Sequence, residues 1–395
     1  MIKILMGGSP CTYWSVAQKK DRETEATGHG WELFKNYLIA KEKFKPDFFL
    51  YENNKSAAQP IKDQISHELG VNLMHINSAL VSAQNRWRFY AFNWKVEQPE
   101  DRGVFLRDVL EPSPLEINYE LKTVAIGWRG RKGADGKYHK RYESTNESKA
   151  NALTTCLTDS MVGEPIMCPK CLAVRGRGAK CKYEVREDDK ANCLTTGHRN
   201  RFVIEEDMPS KNTYSVRNGL IAIDGKEYAI NVADGDYVIR KLTPVECERL
   251  QTLPDGYTAG VSNAQRYRGL GNGWTAEVII HILNGALKDV PRDEEIVVLS
   301  MYDGIGTGRY CLDKMGFTNV TYYVFEIDKY AMQVSSKNYP DIVHLGDAFG
   351  VRAPDWCLPR KEEEECASKI RQTLRPSSGQ QSQDEVVEEQ TRIVV

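Results

Sequence analysis

The first reactive side chain of this sequence is a cysteine that follows a short apolar run. Residues 4–6 read as a buried strand, and the Gly-Gly-Ser-Pro segment at residues 7–10 ends it abruptly and leads to Cys11. Open α/β sheets place ligands at the carboxyl edge of their strands. A thiol held there on a tight turn suits nucleophilic chemistry if its surroundings stabilise the thiolate. Considered alone, the segment fits a half-buried turn cysteine equally well.

A carboxylate follows the next predicted strand in the same way. Residues 12–29 are polar and predict a long mobile loop, and residues 31–44 have the apolar spacing of a helix. The apolar run at residues 47–51 then predicts a buried strand, and Glu52 comes directly after it. A capping or solvated carboxylate is the alternative reading of Glu52 by itself.

Two arginines occupy alternate positions of a third segment. Between residues 84 and 92 the pattern places Gln84, Arg86 and Arg88 on one face of a strand and the aromatic residues on the other. Arginines two residues apart on a strand converge on one ligand or phosphate. A solvated strand face explains the pattern as well.

Three strand-like runs near the carboxyl end predict a βαβαβ unit. Residues 296–301 lead into a glycine-rich turn at residues 302–308, and the runs at 320–325 and 342–345 end in Glu326 and Asp347. Glycines in the first turn allow close approach of a ligand, and Glu326 is placed for ribose hydroxyls. The unit therefore predicts a nucleoside-containing cofactor, with NAD as a rival.

The middle of the chain has a different character. Residues 99–239 contain short runs without sustained helical period, and residues 121–201 hold 17 Lys and Arg against 9 Asp and Glu. Two basic clusters, one at 127–132 with 137–141 and one at 175–182, are mixed with aromatic residues and suit binding to a nucleic-acid backbone. A solvated surface is the alternative.

The same region holds a short repeat and four cysteines. Lys-Ala-Asn-x-Leu-Thr-Thr occurs at residues 149–155 and again at 190–196, which suggests two strand-turn units. Four cysteines raise a structural zinc site as an open alternative, but the second pair lacks the tight spacing of strong zinc motifs, and we assign no metal ligands. They are Cys168, Cys171, Cys181 and Cys193.

Composition sets the broad class of protein. The net charge is −2, hydrophobic residues make up 41% and charged residues 27% of 395 positions, which is ordinary for a globular protein. We see no run long enough to span a membrane and no secretory signal. Ten cysteines in such a chain suggest reduced thiols, so we expect a cytoplasmic protein.

Together these segments resemble the motifs of the DNA (cytosine-5)-methyltransferase family. The family's Arg-x-Leu-Thr-Pro-x-Glu-x-x-Arg-Leu-Gln motif is present in full at residues 240–251, where Thr243 also predicts a helix cap. The other motifs resemble Pro10-Cys11, Glu52-Asn53, Gln84-x-Arg86-x-Arg88, Gly271-Asn272 and the turn from Asp303 to Gly308, where Tyr302 replaces the usual Phe. Trp274 and the amino-acid sequence of this turn look closest to those of the animal de novo methyltransferases.

The order of the motifs departs from the usual family order, because the Pro-Cys segment precedes the cofactor strands. This is similar to the circularly permuted members. The resemblance implies an α/β, Rossmann-like S-adenosylmethionine-dependent methyltransferase fold, circularly permuted, with an inserted target-recognition domain. We expect a catalytic half at 1–98, the DNA-binding insert at 99–239, a cofactor half at 240–356 and a disordered charged tail at 357–395.

The resemblance also implies roles for individual residues. Cys11 would attack carbon 6 of cytosine, and protonated Glu52 would donate to N3. Arg88, with Arg86, would hold the ring's carbonyl oxygen and favour the thiolate. S-adenosylmethionine would be held by Tyr302, Asp303, Gly304, Gly306, Glu326, Ile327, Asp347, Asn272 and Trp274.

The implied partner is double-stranded DNA, from which the target base must be flipped out. A cognate restriction endonuclease is a possible further partner, and no membrane association is expected. Two alternatives remain open: an RNA cytosine-5 methyltransferase on the same core, and a catalytically silent DNA-binding subunit.

Overall fold

The computed structural model describes residues 1–15, 22–111, 124–132, 138–145, 149–151, 161–166, 172–175, 182–185, 213–223, 226–229 and 234–359. Four predicted features lie outside this description: the side chains of the two basic clusters, the four cysteines considered for zinc, the second repeat copy and the charged tail from residue 361. Of the described residues, those up to Arg352 belong to one compact unit and residues 353–359 to a second.

The first hundred residues alternate strands and helices, as their apolar periodicity predicts. The elements are β1 (Ile2–Gly7), α1 (Gly28–Phe44), β2 (Phe48–Asn54), α2 (Gln59–Leu69), β3 (Met74–Asn77), β4 (Gln84–Asn85) and β5 (Trp87–Phe92). Three details differ from the prediction. The first helix begins at Gly28, inside the predicted loop, rather than at residue 31. The second strand continues through Glu52 to Asn54, and the segment at 84–92 is two strands with Arg86 between them.

The middle of the chain is described as strands. They are β6 (Val124–Lys132), β7 (Tyr138–Thr145), β8 (Ala150–Asn151), β9 (Met161–Ile166), β10 (Leu172–Arg175), β11 (Lys182–Val185), β12 (Thr213–Arg217), β13 (Leu220–Ile223), β14 (Lys226–Ala229) and β15 (Gly235–Lys241). Seven of them form an antiparallel sheet in the order β14-β13-β12-β15-β9-β6-β7.

The last described part returns to alternating helices and strands. The elements are α3 (Pro244–Leu250), α4 (Asn263–Asn272), α5 (Ala276–Leu287), β16 (Ile296–Met301), α6 (Thr307–Lys314), β17 (Val320–Phe325), α7 (Lys329–Asn338) and β18 (Val343–Gly346). The predicted helix start at Thr243 is confirmed. Its hydroxyl accepts a hydrogen bond from the Glu246 amide, and the Glu246 carboxylate accepts one from the Thr243 amide.

A mainly parallel central sheet joins the two ends of the chain. Its order is β18-β17-β16-β1-β2-β5-β3, and β1 lies between β16 and β2, parallel to both. Only β5 runs against its neighbours in this sheet. Strands buried on both faces need continuous apolar runs, and Ile4, Leu5 and Met6 of β1 are fully buried. The fold is therefore a mixed α/β architecture.

Candidate active site

The position of the site is determined by one row of paired residues that runs across five adjacent strands of the central sheet. Gly7 pairs with Met301 on one side and Tyr51 on the other, Met301 pairs with Phe325, and Phe325 pairs with Gly346. Since these strands are parallel, their carboxyl ends open on one edge. Eight predicted site residues come within four residues after this row. They are Cys11, Glu52, Tyr302, Asp303, Gly304, Glu326, Ile327 and Asp347.

A cavity of about 620 Å³ lies at this edge. That size is typical of a small-molecule site. Twelve of the thirteen predicted site residues line it, and Gly306 is the one that does not. The twelve are Cys11, Glu52, Arg86, Arg88, Asn272, Trp274, Tyr302, Asp303, Gly304, Glu326, Ile327 and Asp347.

The turn before Cys11 is fixed by side chains of β2. The Ser9 carbonyl accepts a hydrogen bond of 2.9 Å from Asn53 Nδ2, and Ser9 Oγ lies 2.7 Å from the Tyr51 hydroxyl. Cys11 then opens a short 3-10 turn, and its carbonyl accepts from the amides of Trp14 and Ser15. Its thiol is reduced and partly exposed to the cavity. The cysteine is thereby presented on a rigid support.

Glu52 is held at both carboxylate oxygens. Arg88 Nε lies 3.0 Å from Oε1, and Trp274 Nε1 donates to Oε2 over 3.1 Å. Gly8 passes so close that a Cβ there would lie 2.4 Å from the Glu52 carbonyl oxygen. Only glycine permits this approach, so the Gly-Gly turn and the carboxylate are packed as one unit.

Arg86 faces backbone rather than open solvent. Its side chain is 2% exposed, and Nη2 donates to the carbonyls of Gly271 at 3.2 Å and Gly273 at 2.8 Å. Burial, reinforced by the nearby positive charge of Arg88, lowers the pKa of the Arg86 guanidinium to about 9. The guanidinium therefore remains positive at neutral pH.

At the other end of the cavity, three backbone amides fix the Glu326 carboxylate. Gly304 N donates to Oε2 at 2.8 Å, and the amides of Ile327 and Asp328 donate to Oε1 at 2.9 and 2.8 Å. Gly304 has φ +67°, and nothing lies within 4 Å of a Cβ built there. The turn thus leaves open space above its backbone.

Tyr302 connects this turn to the helix that follows the Cys11 loop. Its hydroxyl donates to the Leu33 carbonyl at 2.8 Å and accepts from Asn36 Nδ2 at 3.1 Å. Its backbone has φ +61°, a left-handed conformation that is costly for a residue with a side chain. Burial raises the pKa of the Tyr302 phenol to about 12, so the hydroxyl keeps its proton.

Asp303 is a buried carboxyl beside Glu326. Oδ1 accepts hydrogen bonds from Ser300 Oγ at 2.7 Å and the Tyr322 hydroxyl at 2.9 Å. Oδ2 has no partner in hydrogen-bond geometry among the described residues, although the Gly306 amide is near enough to lower the pKa slightly. Burial is the largest influence, and it raises the pKa of Asp303 to about 6.

This pKa predicts how stability depends on pH. The folded state binds a proton at Asp303 more tightly than the unfolded chain does. The contribution of this protonated carboxyl to the free energy of unfolding is therefore fully present below pH 4 and is lost as the pH rises to about 6. Asp303→Asn should therefore gain stability relative to the parent between these values, by about 3 kcal/mol at pH 7.5. Urea unfolding of both proteins at pH 4 and 7.5, with exposed Asp289→Asn as control, measures the difference. A difference that is flat or falls with pH would contradict the assignment.

Several cavity residues escaped prediction from the sequence. Tyr13 and His29 pack edge to face at 5.1 Å, and His29 stacks on Phe349 at 6.4 Å. All three line the cavity, as does Thr307, whose buried hydroxyl has no hydrogen-bond partner among the described residues. They come from distant parts of the chain and carry no local pattern. For Thr307, its position directly after the glycine turn was the available signal.

Two further observations concern the described residues. No three His, Cys, Asp or Glu side chains among them come together as metal ligands would. No helix in the described part of the chain is both long enough and apolar enough to cross a bilayer.

Comparison with known proteins agrees with this geometry. The family model for C-5 cytosine-specific DNA methylase matches residues 1–288. The orphan methyltransferase M.SPRI of Bacillus phage SPR is 23% identical over 360 residues, covering 70% of this chain and 80% of the phage protein. The type II methyltransferase M.HpaII of Haemophilus parainfluenzae is 24% identical over 296 residues, covering 68% and 67%.

A plant protein is similar over a shorter stretch. The DNA (cytosine-5)-methyltransferase DRM2 of Oryza sativa subsp. japonica is 34% identical over 82 residues, 21% of this chain and 13% of the rice protein. The family model covers well over half of the chain and includes the segments that carry Cys11, Glu52 and the two arginines. This chain therefore belongs to the C-5 cytosine-specific DNA methylase family and is a DNA cytosine methyltransferase.

Proposed function

We propose that this enzyme methylates carbon 5 of a cytosine flipped out of duplex DNA, with S-adenosylmethionine as methyl donor and Cys11 as nucleophile. One observation carries the proposal: a single cavity is lined both by Cys11, Glu52 and Arg88 and by the turn and acids that follow β16, β17 and β18. A nucleophile and a nucleoside site in one cavity suit transfer of a group between two bound molecules.

The carboxyl-terminal end of the cavity fits S-adenosylmethionine. Glu326 is held by amides yet its Oε2 keeps lone-pair capacity for a ribose hydroxyl, and Ile327, 72% exposed, offers an apolar surface to a base. Asp303 Oδ2 and Thr307 Oγ1 remain without hydrogen-bond partners among the described residues beside the open Gly304 turn. Bound there, S-adenosylmethionine supplies an electrophilic methyl group. Gly306, outside the lining, would act by shaping the turn with φ +81°.

The other end of the cavity suits cytosine. The Cys11 thiolate would add to carbon 6 and make carbon 5 nucleophilic, and expulsion of Cys11 would follow removal of the carbon-5 proton by a base. Glu52, in its protonated form, would donate to N3 as charge builds on the ring and would accept from the exocyclic amine. Arg88, already beside Glu52, would hold the ring's carbonyl oxygen.

Arg86 takes a different role in this proposal from the one that the sequence pattern suggests. Its guanidinium is occupied by the Gly271 and Gly273 carbonyls, directly before Trp274. We assign it as a positioning residue that fixes Trp274, and through Trp274 the Glu52 carboxylate. Trp274 likewise serves Glu52 by its indole N–H and lines the cofactor region with its ring.

The domain arrangement is also part of the proposal. We assign residues 99–239 as the target-recognition insert, since they stand between the arginine segment and residue 240, and residues 121–201 within them hold 17 Lys and Arg against 9 Asp and Glu, an excess that suits DNA phosphates. We infer a circularly permuted order, because β1 precedes β16 along the chain and the family match ends before β16. M.HpaII is named a type II enzyme and M.SPRI an orphan, so a cognate endonuclease in the cytoplasm is a candidate partner.

Bisulfite sequencing after expression in a host tests the function as a whole. We expect methylated cytosines at one short sequence in DNA, and none when Cys11 is Ser. Methylation in RNA alone would point to the RNA enzyme on the same core, and methylation in neither to a silent subunit.

Binding of the methyl donor gives a separate prediction. Glu326→Ala should raise the dissociation constant for S-adenosylmethionine about tenfold, equivalent to about 1.4 kcal/mol, because the ribose loses a charged acceptor and Gly304 N loses its partner. Glu52→Gln, at the other end of the cavity, should leave this constant unchanged. Calorimetry measures both. Binding of NAD in place of S-adenosylmethionine would overturn the cofactor assignment.

A further inference from the structure

Lys149 is a buried lysine that none of the proposed chemistry uses. It is the first residue of the first repeat copy, and it is 8% exposed. Lysines are rarely buried to this degree unless their charge is met by polar partners. Its environment therefore calls for an explanation.

Three backbone carbonyls receive the ammonium group. Nζ donates to Ala79 O at 2.9 Å, to Ser82 O at 3.3 Å and to Val104 O, and it lies 5.2 Å from the centre of the Phe105 ring. An ammonium has three N–H donors, so this set of acceptors matches it. The contact joins Lys149 to residue 104 within the proposed insert, and it joins the insert to residues 79–82 on the catalytic side of the chain.

The segment at 79–82, which accepts hydrogen bonds from Lys149, is followed closely along the chain by the two arginines. Ser82 is two residues before β4, and its hydroxyl donates to Leu250 O at 2.6 Å. The same carbonyl accepts from Gln84 Nε2 at 3.2 Å. Arg86 follows β4, and its amide donates to Asn77 Oδ1 at 2.9 Å. A displacement of residues 79–82 would thus be passed to Arg86.

The backbone of the first repeat copy adds a second connection to the same segment. β8 pairs with β4 in parallel, Gln84 opposite Ala150 and Asn85 opposite Asn151. A pair of two-residue strands is too short to hold by itself. Lys149, directly before β8, supplies the buried anchor that keeps the pair in register.

We propose that Lys149 is a positioning residue that fixes the insert to the turn before the arginine segment, so that Arg86 holds Trp274 and Arg88 stands correctly at the target base. This inference rests on the proposed roles of the two arginines. It also assigns a role to the first copy of the repeat motif, which couples the DNA-binding insert to the reacting end of the cavity.

Lys149→Met tests the inference, since it keeps the length and apolar stem of the side chain and removes the three donors. We expect the rate of a single turnover at saturating DNA and S-adenosylmethionine to fall at least tenfold. The dissociation constant for S-adenosylmethionine should not change, and that for DNA should change less than threefold. A lysine that served stability alone would lower the melting temperature and leave the rate at saturation intact.

Lys41→Met is the matched control, because Lys41 also lies over an aromatic ring, Phe49 at 4.5 Å, away from the cavity lining. It should react at the parent rate. Lys149→Gln is a milder second variant should the methionine variant not fold. A folded Lys149 variant with the parent rate overturns the inference, while failure of the parent to methylate DNA would overturn the proposed function instead.

Discussion

Duplex DNA carrying 5-fluorocytosine at the target position should become covalently attached to Cys11. In normal turnover a base removes the carbon-5 proton and Cys11 is expelled. Fluorine cannot leave as a cation, so the reaction should stop with the thioether between Cys11 and carbon 6 intact. The adduct should survive denaturing electrophoresis, require S-adenosylmethionine for efficient formation, and map by mass spectrometry to the peptide that contains Cys11.

Cys11→Ser should abolish both the adduct and methylation while DNA binding remains measurable, since a hydroxyl is a far weaker nucleophile than a thiolate. Cys357→Ser replaces a more exposed cysteine and should change neither. An adduct on a different cysteine, or full methylation by Cys11→Ser, would show that the nucleophile has been misassigned.

The arrangement of this site could be foreseen wherever a reactive residue stands at, or a few residues beyond, the carboxyl end of an apolar strand. Cys11, Glu52, Asp303, Glu326 and Asp347 all stand after apolar runs, and parallel strands bring their ends to one edge whatever their order along the chain. The local rule was sufficient because strand ends, unlike loops, are fixed by the sheet. The helix start at Thr243 was foreseeable for the same reason, as capping is local.

Contacts between distant segments could not be foreseen. Trp274 and Glu52 are 222 residues apart, and no periodicity in either segment shows that an indole N–H meets a carboxylate. The strand pattern around Arg86 predicted that this residue lies at the cavity. It did not predict that the guanidinium donates to the carbonyls at the end of α4. In the sequence, Lys149 is recognisable only as part of a repeat. Its burial depends on hydrogen bonds to the carbonyls of residues 79, 82 and 104, which the repeat does not indicate.

Glu52→Gln should lower the rate of methyl transfer by a factor on the order of 10² to 10⁴, the range typical of losing a general acid. The amide has no acidic proton for N3, and its NH₂ group would face either Arg88 Nε or Trp274 Nε1, both of which are donors. Single-turnover kinetics at saturating DNA and S-adenosylmethionine measure the rate. A variant within threefold of the parent would remove Glu52 from the mechanism.

Trp274→Phe separates the orientation of Glu52 from its chemistry, because it keeps an aromatic ring and deletes only the indole N–H. A hydrogen bond to a charged group contributes about 1.5–3 kcal/mol, so we expect a loss of about tenfold or more in the rate at saturation. Trp94→Phe deletes a comparable indole hydrogen bond, to Ile282 O, away from the cavity lining and should have no such effect. Combined with Glu52→Gln, Trp274→Phe should add less than twofold, since the carboxylate that it orients is already gone. If Trp274→Phe instead weakened S-adenosylmethionine binding tenfold and left the rate at saturation unchanged, Trp274 would be a cofactor residue with no role at Glu52.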